Sequence, residues 1–129
     1  MCLFCDEGWQ DQGHGILLEL PKAFVKFDSF PVTEGHMLII PFEHKETFWD
    51  LSNEELNDIY TLCDIMREHL QEEDPSITGF NIGWNCGASA GQTVMHAHCH
   101  LIPRRDGDVE DPIGGVRNII QGKGNYKNE

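Results

Sequence analysis

Residues 92–103, QTVMHAHCHLIP, set polar against apolar side chains at every second position: His96, His98 and His100 alternate with Met95, Ala97, Cys99 and Leu101. A two-residue alternation is the period of a β-strand, whose side chains point to opposite faces in turn. The pattern predicts one face carrying the three imidazoles, with Met95, Ala97, Cys99 and Leu101 turned the other way into a core. Pro103 cannot donate to a sheet ladder, so the strand is expected to stop there. Residues 15–20 and 23–27 read as two short strands split by Pro21-Lys22, with 28–32 as a loop. Residues 36–41, HMLIIP, are apolar through the middle and read as a central strand, and 78–84 as a further one.

Over 52–70 the period changes. Ser52 followed by Glu55 is a capping box, and Leu51 with Leu56 is placed to form a hydrophobic staple around it. Leu56, Ile59, Cys63, Met66 and Leu70 then recur at three- and four-residue steps, which predicts one apolar helical stripe ended by Asp74-Pro75. Glu54, Glu55, Asp58, Asp64, Glu68, Glu72 and Glu73 fall largely off that stripe and read as a solvated face. After Pro103 the chain is polar and glycine-rich, with a short apolar patch at 116–120. That stretch reads as an irregular tail folded back over a cleft or a partner subunit. The fold class these elements predict is α+β: an antiparallel sheet of about five strands with one main helix packed on one face.

Composition narrows the picture. A chain of 129 residues predicts one domain over 1–129, with 1–105 as its core and 106–129 as its tail. No apolar run approaches the roughly 20 residues of a membrane span, and no cationic-then-apolar signal peptide opens the chain. Five cysteines, an odd number without a secretory signature, point to a reducing cytoplasm rather than a disulfide framework. A formal charge of −13 argues against nucleic acid or an anionic membrane as partner. It does not exclude a small phosphorylated ligand, because the acids gather between Glu43 and Asp74 while Arg104, Arg105, Arg117, Lys123 and Lys127 all follow the histidine row.

The row itself can be a metal cage or a catalytic array. Same-face neighbours on a strand lie about 6.6 Å apart, so His96 and His100 are separated by about 13 Å. A metal–nitrogen bond spans only about 2 Å, so two of the imidazoles can share an ion but three cannot easily converge. Cys2-x-x-Cys5 is either one half of a zinc site, with His44 and one of the three histidines as candidates for the rest, or a pair of idle thiols near a terminus. Residues 85–92, NCGASAGQ, are either a plain connection or a loop whose backbone N–H groups converge on an anion, since Gly87 and Gly91 permit unusual backbone angles. The loop lacks the Gly-Lys-Ser/Thr of a P-loop.

Three segments together resemble a known family. His96-Ala97-His98-Cys99-His100-Leu101-Ile102 resembles the His-φ-His-φ-His-φ-φ signature of the histidine-triad (HIT) nucleotide hydrolases and transferases. Gly91-Gln92-Thr93-Val94 and Gly35-His36-Met37-Leu38-Ile39-Ile40-Pro41 look like its two other hallmarks, in family order and spacing across roughly 1–105. Asp111-Pro112-Ile113-Gly114-Gly115-Val116-Arg117 is similar to the bacterial-type branch that resembles diadenosine-polyphosphate hydrolases.

The resemblance implies that His98 attacks an α-phosphorus to give a covalent nucleotidyl-histidine, with His100 beside it donating to the phosphate. It implies that His36 lines the phosphate or nucleoside pocket, that Asp28 accepts from the ribose hydroxyls, and that Asn85 bonds the phosphates or the leaving group. Gln92 and Thr93 then sit at phosphate contacts. It also implies a zinc site of Cys2, Cys5, His44 and His96. Four ligands make a closed set and hence a structural ion, which assigns His96 to zinc and the chemistry to His98 and His100. A nucleotide or dinucleotide substrate and a homodimer follow from the same likeness. Other readings remain open at this point: an adenosine phosphoramidate hydrolase of the same family, a metal-dependent hydrolase using two of the histidines plus a carboxylate, or a non-catalytic nucleotide-binding module.

Overall fold

The computed structural model describes residues 2–5 and 15–127. Five antiparallel strands, β1 (Leu18–Glu19), β2 (Ala23–Phe27), β3 (Met37–Pro41), β4 (Ile77–Trp84) and β5 (Cys99–Arg105), form one sheet in the order β1-β2-β3-β5-β4. Helix α1 (Asn53–Glu73) joins β3 to β4 and packs on one face. Strand β3 is buried along its whole length, as a run of five apolar residues between two ladders requires.

The register decides which side chains share a face. Leu38 is paired with His100, Ile39 with Cys99 and with Val25. Ala23, Val25, Met37, Ile39, Cys99 and Leu101 therefore meet Ile59, Leu62 and Met66 of α1 in the main core. The opposite face carries Phe24, Leu38 and Ile40 under Phe4, a smaller cluster that leaves room for a cleft. His100 falls on that second face.

Ser52 caps α1 as its pattern predicts: its hydroxyl accepts from the Glu55 N–H at 3.1 Å, and the Glu55 carboxylate accepts from the Ser52 N–H at 2.8 Å. Two expectations for this helix change. Leu62, outside the predicted stripe, is fully buried, while Leu56 and Cys63 are half-buried at its margin. Glu55 is not on a solvated face; it is buried, and accepts from the Lys45 ammonium at 3.1 Å. The cap bond and the lysine supply the partners that a carboxylate needs away from water.

The histidine strand also differs from expectation. Its ladder begins only at Cys99 and runs on through Pro103 to Arg105. Extending the β3 register would set Pro41 opposite Ala97, and Pro41 has no N–H to give; the Ala97 N–H instead donates to the Lys45 carbonyl at 2.7 Å. Pro103 is tolerated because β3 no longer pairs with β5 beyond Leu101. The Pro103 carbonyl points to that open side and accepts from the Thr33 hydroxyl at 2.8 Å, so the missing N–H of the same residue leaves no gap in the β4 ladder. Met95 lies ahead of the strand in a loop and is exposed rather than turned into the core.

Candidate active site and metal centre

The three histidines keep their alternation but divide into two centres. His96 is completely buried, and its Nε2 donates to the Pro41 carbonyl at 2.8 Å. A neutral imidazole has one N–H, so this bond leaves the His96 Nδ1 lone pair free. Nδ1 lies 3.3 Å from both the Cys2 and Cys5 sulfurs, and the His44 Nδ1 lies 3.3 Å from Cys5. The donor atoms of Cys2, Cys5, His44 and His96 all fall within 4.8 Å of one another. With Zn–S near 2.3 Å and Zn–N near 2.0–2.1 Å, the sulfur–nitrogen edge of a tetrahedron is about 3.5 Å, so the donor set fits zinc. The backbone carbonyl behind His96 is the kind of outer partner that fixes a ligating imidazole. The set is closed by four side chains, so it could supply structure but no open position for a water.

His98 takes no part in the metal cluster. Its Nδ1 donates to the His96 carbonyl at 2.8 Å, which leaves Nε2 with an available lone pair. Phe4 separates the two centres, with its ring 5.9 Å from His96 and 5.1 Å from His98 in edge contacts. Nothing in the order of residues marks Phe4 beyond its place between the two cysteines.

A second hydrogen-bonded chain sets His100. The Val32 N–H donates to the His36 Nδ1 at 3.2 Å, so the His36 proton sits on Nε2. That Nε2–H points to the His100 Nδ1 at 2.9 Å and to the Asp28 Oδ2 at 3.3 Å. His100 therefore carries its own proton on Nε2. Its ring lies 5.1 Å from that of His98. The result is an Nε2 lone pair on His98 beside an Nε2–H donor on His100.

The same bonds weigh on the metal-hydrolase reading. Asp28, His36 and His100 are close enough to hold an ion. To ligate through Nε2, however, His36 would have to move its proton to Nδ1, where it would meet the Val32 N–H donor head-on. The backbone holds this cluster to proton sharing.

Burial lowers the pKa of His36, of His98 and, to about 4, of His100, where the neighbouring His98 and His36 add to the effect. These rings are neutral at pH 7, as a nucleophile and a donor require. The shift has a consequence for stability. An unfolded histidine takes up its proton near pH 6.5, whereas folded His100 refuses it until about pH 4. The unfolded state thus binds more protons in this window, and stability is expected to fall as pH drops from 7 to 5. After discounting for solvent screening the loss is on the order of 1 kcal/mol from His100. Urea midpoints at pH 7, 6 and 5 measure it; a midpoint that rises on acidification would contradict the assignment.

The remaining expected residues divide. Asn85 lines the same cavity as His36 and His100. Gln92 does not join them: its carboxamide is buried and committed to backbone, accepting from the Gly87 N–H and donating to the Glu46 and Val94 carbonyls. Thr93 lies on the metal side, near Cys2 and His44. The C-terminal tail returns over β4 in this chain and lines the cavity beside His36 and His100 through residues such as Val116 and Ile119, in the apolar patch of the tail that the sequence predicts to fold back over a cleft or a partner subunit.

The HIT domain pattern matches residues 11–107. The chain belongs to the HIT domain family. An uncharacterized HIT-like protein of Saccharolobus solfataricus is 36% identical over 108 residues, covering 80% of this chain and 73% of that one. The asymmetrical bis(5'-nucleosyl)-tetraphosphatase of Schizosaccharomyces pombe is 37% identical, covering 72% of this chain and 50% of that one. The adenosine 5'-monophosphoramidase of Candida albicans is 32% identical, covering 81% and 71%. Among solved HIT structures, one from Bacillus anthracis has a TM-score of 0.71 at 34% identity, covering 81% of this chain and 73% of that one. A Zn-bound HIT protein from Mycobacterium smegmatis has a TM-score of 0.71 at 30% identity, covering 83% and 77%. The HIT family thus includes relatives acting on a dinucleotide and on a nucleoside phosphoramidate.

Proposed function

We propose that this HIT protein is a nucleotide hydrolase or transferase that cleaves at the α-phosphate of a dinucleoside polyphosphate of the diadenosine tetraphosphate kind. The observation that carries the reading is the opposed tautomer pair, the His98 Nε2 lone pair beside the His100 Nε2–H, each fixed by a backbone-anchored bond. In the first step the His98 Nε2 attacks the α-phosphorus while the phosphoanhydride P–O bond breaks, and the departing oxygen keeps the electron pair. His100 donates from Nε2 to the phosphoryl oxygens and on toward the leaving oxygen. In the second step water attacks the same phosphorus, its proton returns to His100, and the P–N bond breaks to restore His98. Asp28 lies within reach of both His36 and His100, where its negative charge steadies the chain as charge develops; the same carboxylate is also the candidate ribose acceptor.

Cys2, Cys5, His44 and His96 would hold a zinc ion whose contribution is to pin the N-terminal segment and Phe4 against His98. A homodimer belongs to the same proposal, with the edge strand β4 and exposed Ile82 and Tyr60 as the face a second copy would cover. The second reading is hydrolysis of a nucleoside phosphoramidate, favoured by the fuller coverage of the Candida relative. Quenching reactions with a dinucleoside polyphosphate and with an adenosine phosphoramidate, followed by peptide mass analysis, tests both. The expected result is one nucleotidyl group on the His98 peptide. No adduct with either substrate, alongside normal turnover, would sink the mechanism; turnover of the phosphoramidate alone would select the second reading.

A further inference from the structure

Two thiols flank Phe4, and Phe4 touches the attacking histidine. Cys2 is half-buried and Cys5 exposed, while Phe4 between them is buried. The Cys5 N–H donates to the Cys2 carbonyl at 3.1 Å, closing a turn that keeps the two Cα atoms within about 7 Å. A disulfide needs Cα atoms about 4.4–6.8 Å apart, so this pair can be bridged with little movement of the backbone. The two sulfurs lie within 4.8 Å of each other, and each is 3.3 Å from the His96 Nδ1. The remaining close pair is built differently. Cys63 packs against Cys99 in the main core, where Cys99 is almost completely buried. Its neighbour Cys63 and its burial push the Cys99 thiol far above the ordinary range, and a thiol kept protonated is a poor nucleophile.

Phe4 links the exposed pair to the chemistry. Its ring lies 5.9 Å from that of His96 and 5.1 Å from that of His98, with the Lys26 ammonium 5.6 Å over its face. While both sulfurs hold a tetrahedral ion they span an edge of about 3.8 Å, against about 2.05 Å in a disulfide. Bridging therefore draws the turn together by roughly 1.7 Å and unties both sulfurs from His44 and His96. The ring caught in that turn is Phe4. In a chain whose cysteines are otherwise kept as thiols, a bridge of this kind is transient and serves sensing rather than architecture.

We infer that Cys2 and Cys5 form a peroxide-sensitive dithiol whose oxidation opens the metal centre and frees Phe4 from His98, turning the catalytic strand down. The inference rests on the hydrolase reading above for what is switched, and adds its regulation by an oxidant. With hydrogen peroxide, the exposed Cys5 thiolate attacks one peroxide oxygen and the O–O bond breaks. The departing hydroxide takes a proton from solvent to become water, and Cys5 is left as a sulfenic acid. The Cys2 thiolate then attacks that sulfur, the S–O bond breaks, and a second hydroxide leaves as water with a second solvent proton. Two electrons pass from the two thiolates to one peroxide. A disulfide sulfur has no negative charge to offer a metal, so two of the four donors are lost together. A dithiol reductant reverses the exchange.

The test treats the zinc-loaded chain with hydrogen peroxide. It follows zinc freed to a coloured chelator, the mass of the peptide carrying Cys2 and Cys5, the His98 ring resonance by NMR, and nucleotide turnover. The expected result is about one zinc freed per chain, two hydrogens lost from that peptide, a shifted His98 resonance, and kcat lower by roughly ten- to a hundredfold. Reductant supplied together with zinc should restore all of them, and Cys63→Ser should respond as wild type does. Zinc freed with the His98 resonance and turnover unchanged would overturn the switch. So would turnover lost with zinc retained, a bridge between Cys63 and Cys99, or a chain that takes up no zinc. If the reduced, zinc-loaded chain turned over no nucleotide, the hydrolase reading would fail; zinc release and the His98 resonance would still decide the switch by themselves.

Discussion

Alanine in place of His98 is expected to lower turnover of the preferred nucleotide substrate by at least about a thousandfold, with substrate affinity changed little. The size follows from what the variant lacks. No other imidazole can take over: His96 is enclosed with its free nitrogen facing the cysteines, and the available nitrogen of His100 carries a proton. Water attacking directly would still find the His100 donor, so a residual rate should persist rather than vanish. His98→Ala should also keep its metal content and its unfolding midpoint near wild type, because His98 contributes no atom to the four-residue donor cluster. Single-turnover rates, metal analysis and a melt on the same preparation separate these outcomes. Full activity in the variant would remove the central assignment of this protein, and loss of metal together with activity would revive the metal-hydrolase reading.

The second large effect concerns the Cys/His centre. Cys2→Ser combined with Cys5→Ser is expected to abolish zinc binding of about one ion per chain and to cost about 3 kcal/mol, or roughly 10 °C in Tm. Free zinc-finger peptides depend on the metal for folding altogether, but here the main core lies between α1 and the sheet and does not include the donors. The smaller cluster under Phe4 is what should loosen. Phe4 stacks edge-on against both His96 and His98, so activity should fall in step with the freed N-terminal segment, largely in kcat. A double variant with wild-type zinc content, or with none and an unchanged Tm, would refute the centre. Removal of zinc by a chelator and its return should move Tm down and back.

Much of this protein was legible in the order of its residues. The capping box and apolar periodicity placed α1, and the apolar run 37–41 marked the strand that two ladders bury. The His-x-His-x-His spacing placed the imidazoles at alternate positions and indicated that all three cannot easily meet at one ion. These features are local, set by turn chemistry and side-chain period, and they need no knowledge of distant neighbours.

Tertiary structure decided the rest. That Glu55 is buried depends on Lys45, ten residues away, whose ammonium meets it. That β5 runs through Pro103 depends on where β3 starts, and that Gln92 braces a loop depends on the carbonyl of Glu46. Above all, the proton positions on His36, His98 and His100 follow from the Val32 N–H and the His96 carbonyl, backbone groups that every residue but proline possesses and no sequence motif can flag. Residue types supplied imidazoles able to be ligand, nucleophile or donor. Only the backbone folded around each ring determined which of those three it is placed to be, because one N–H per neutral ring leaves a single choice once its partner is set.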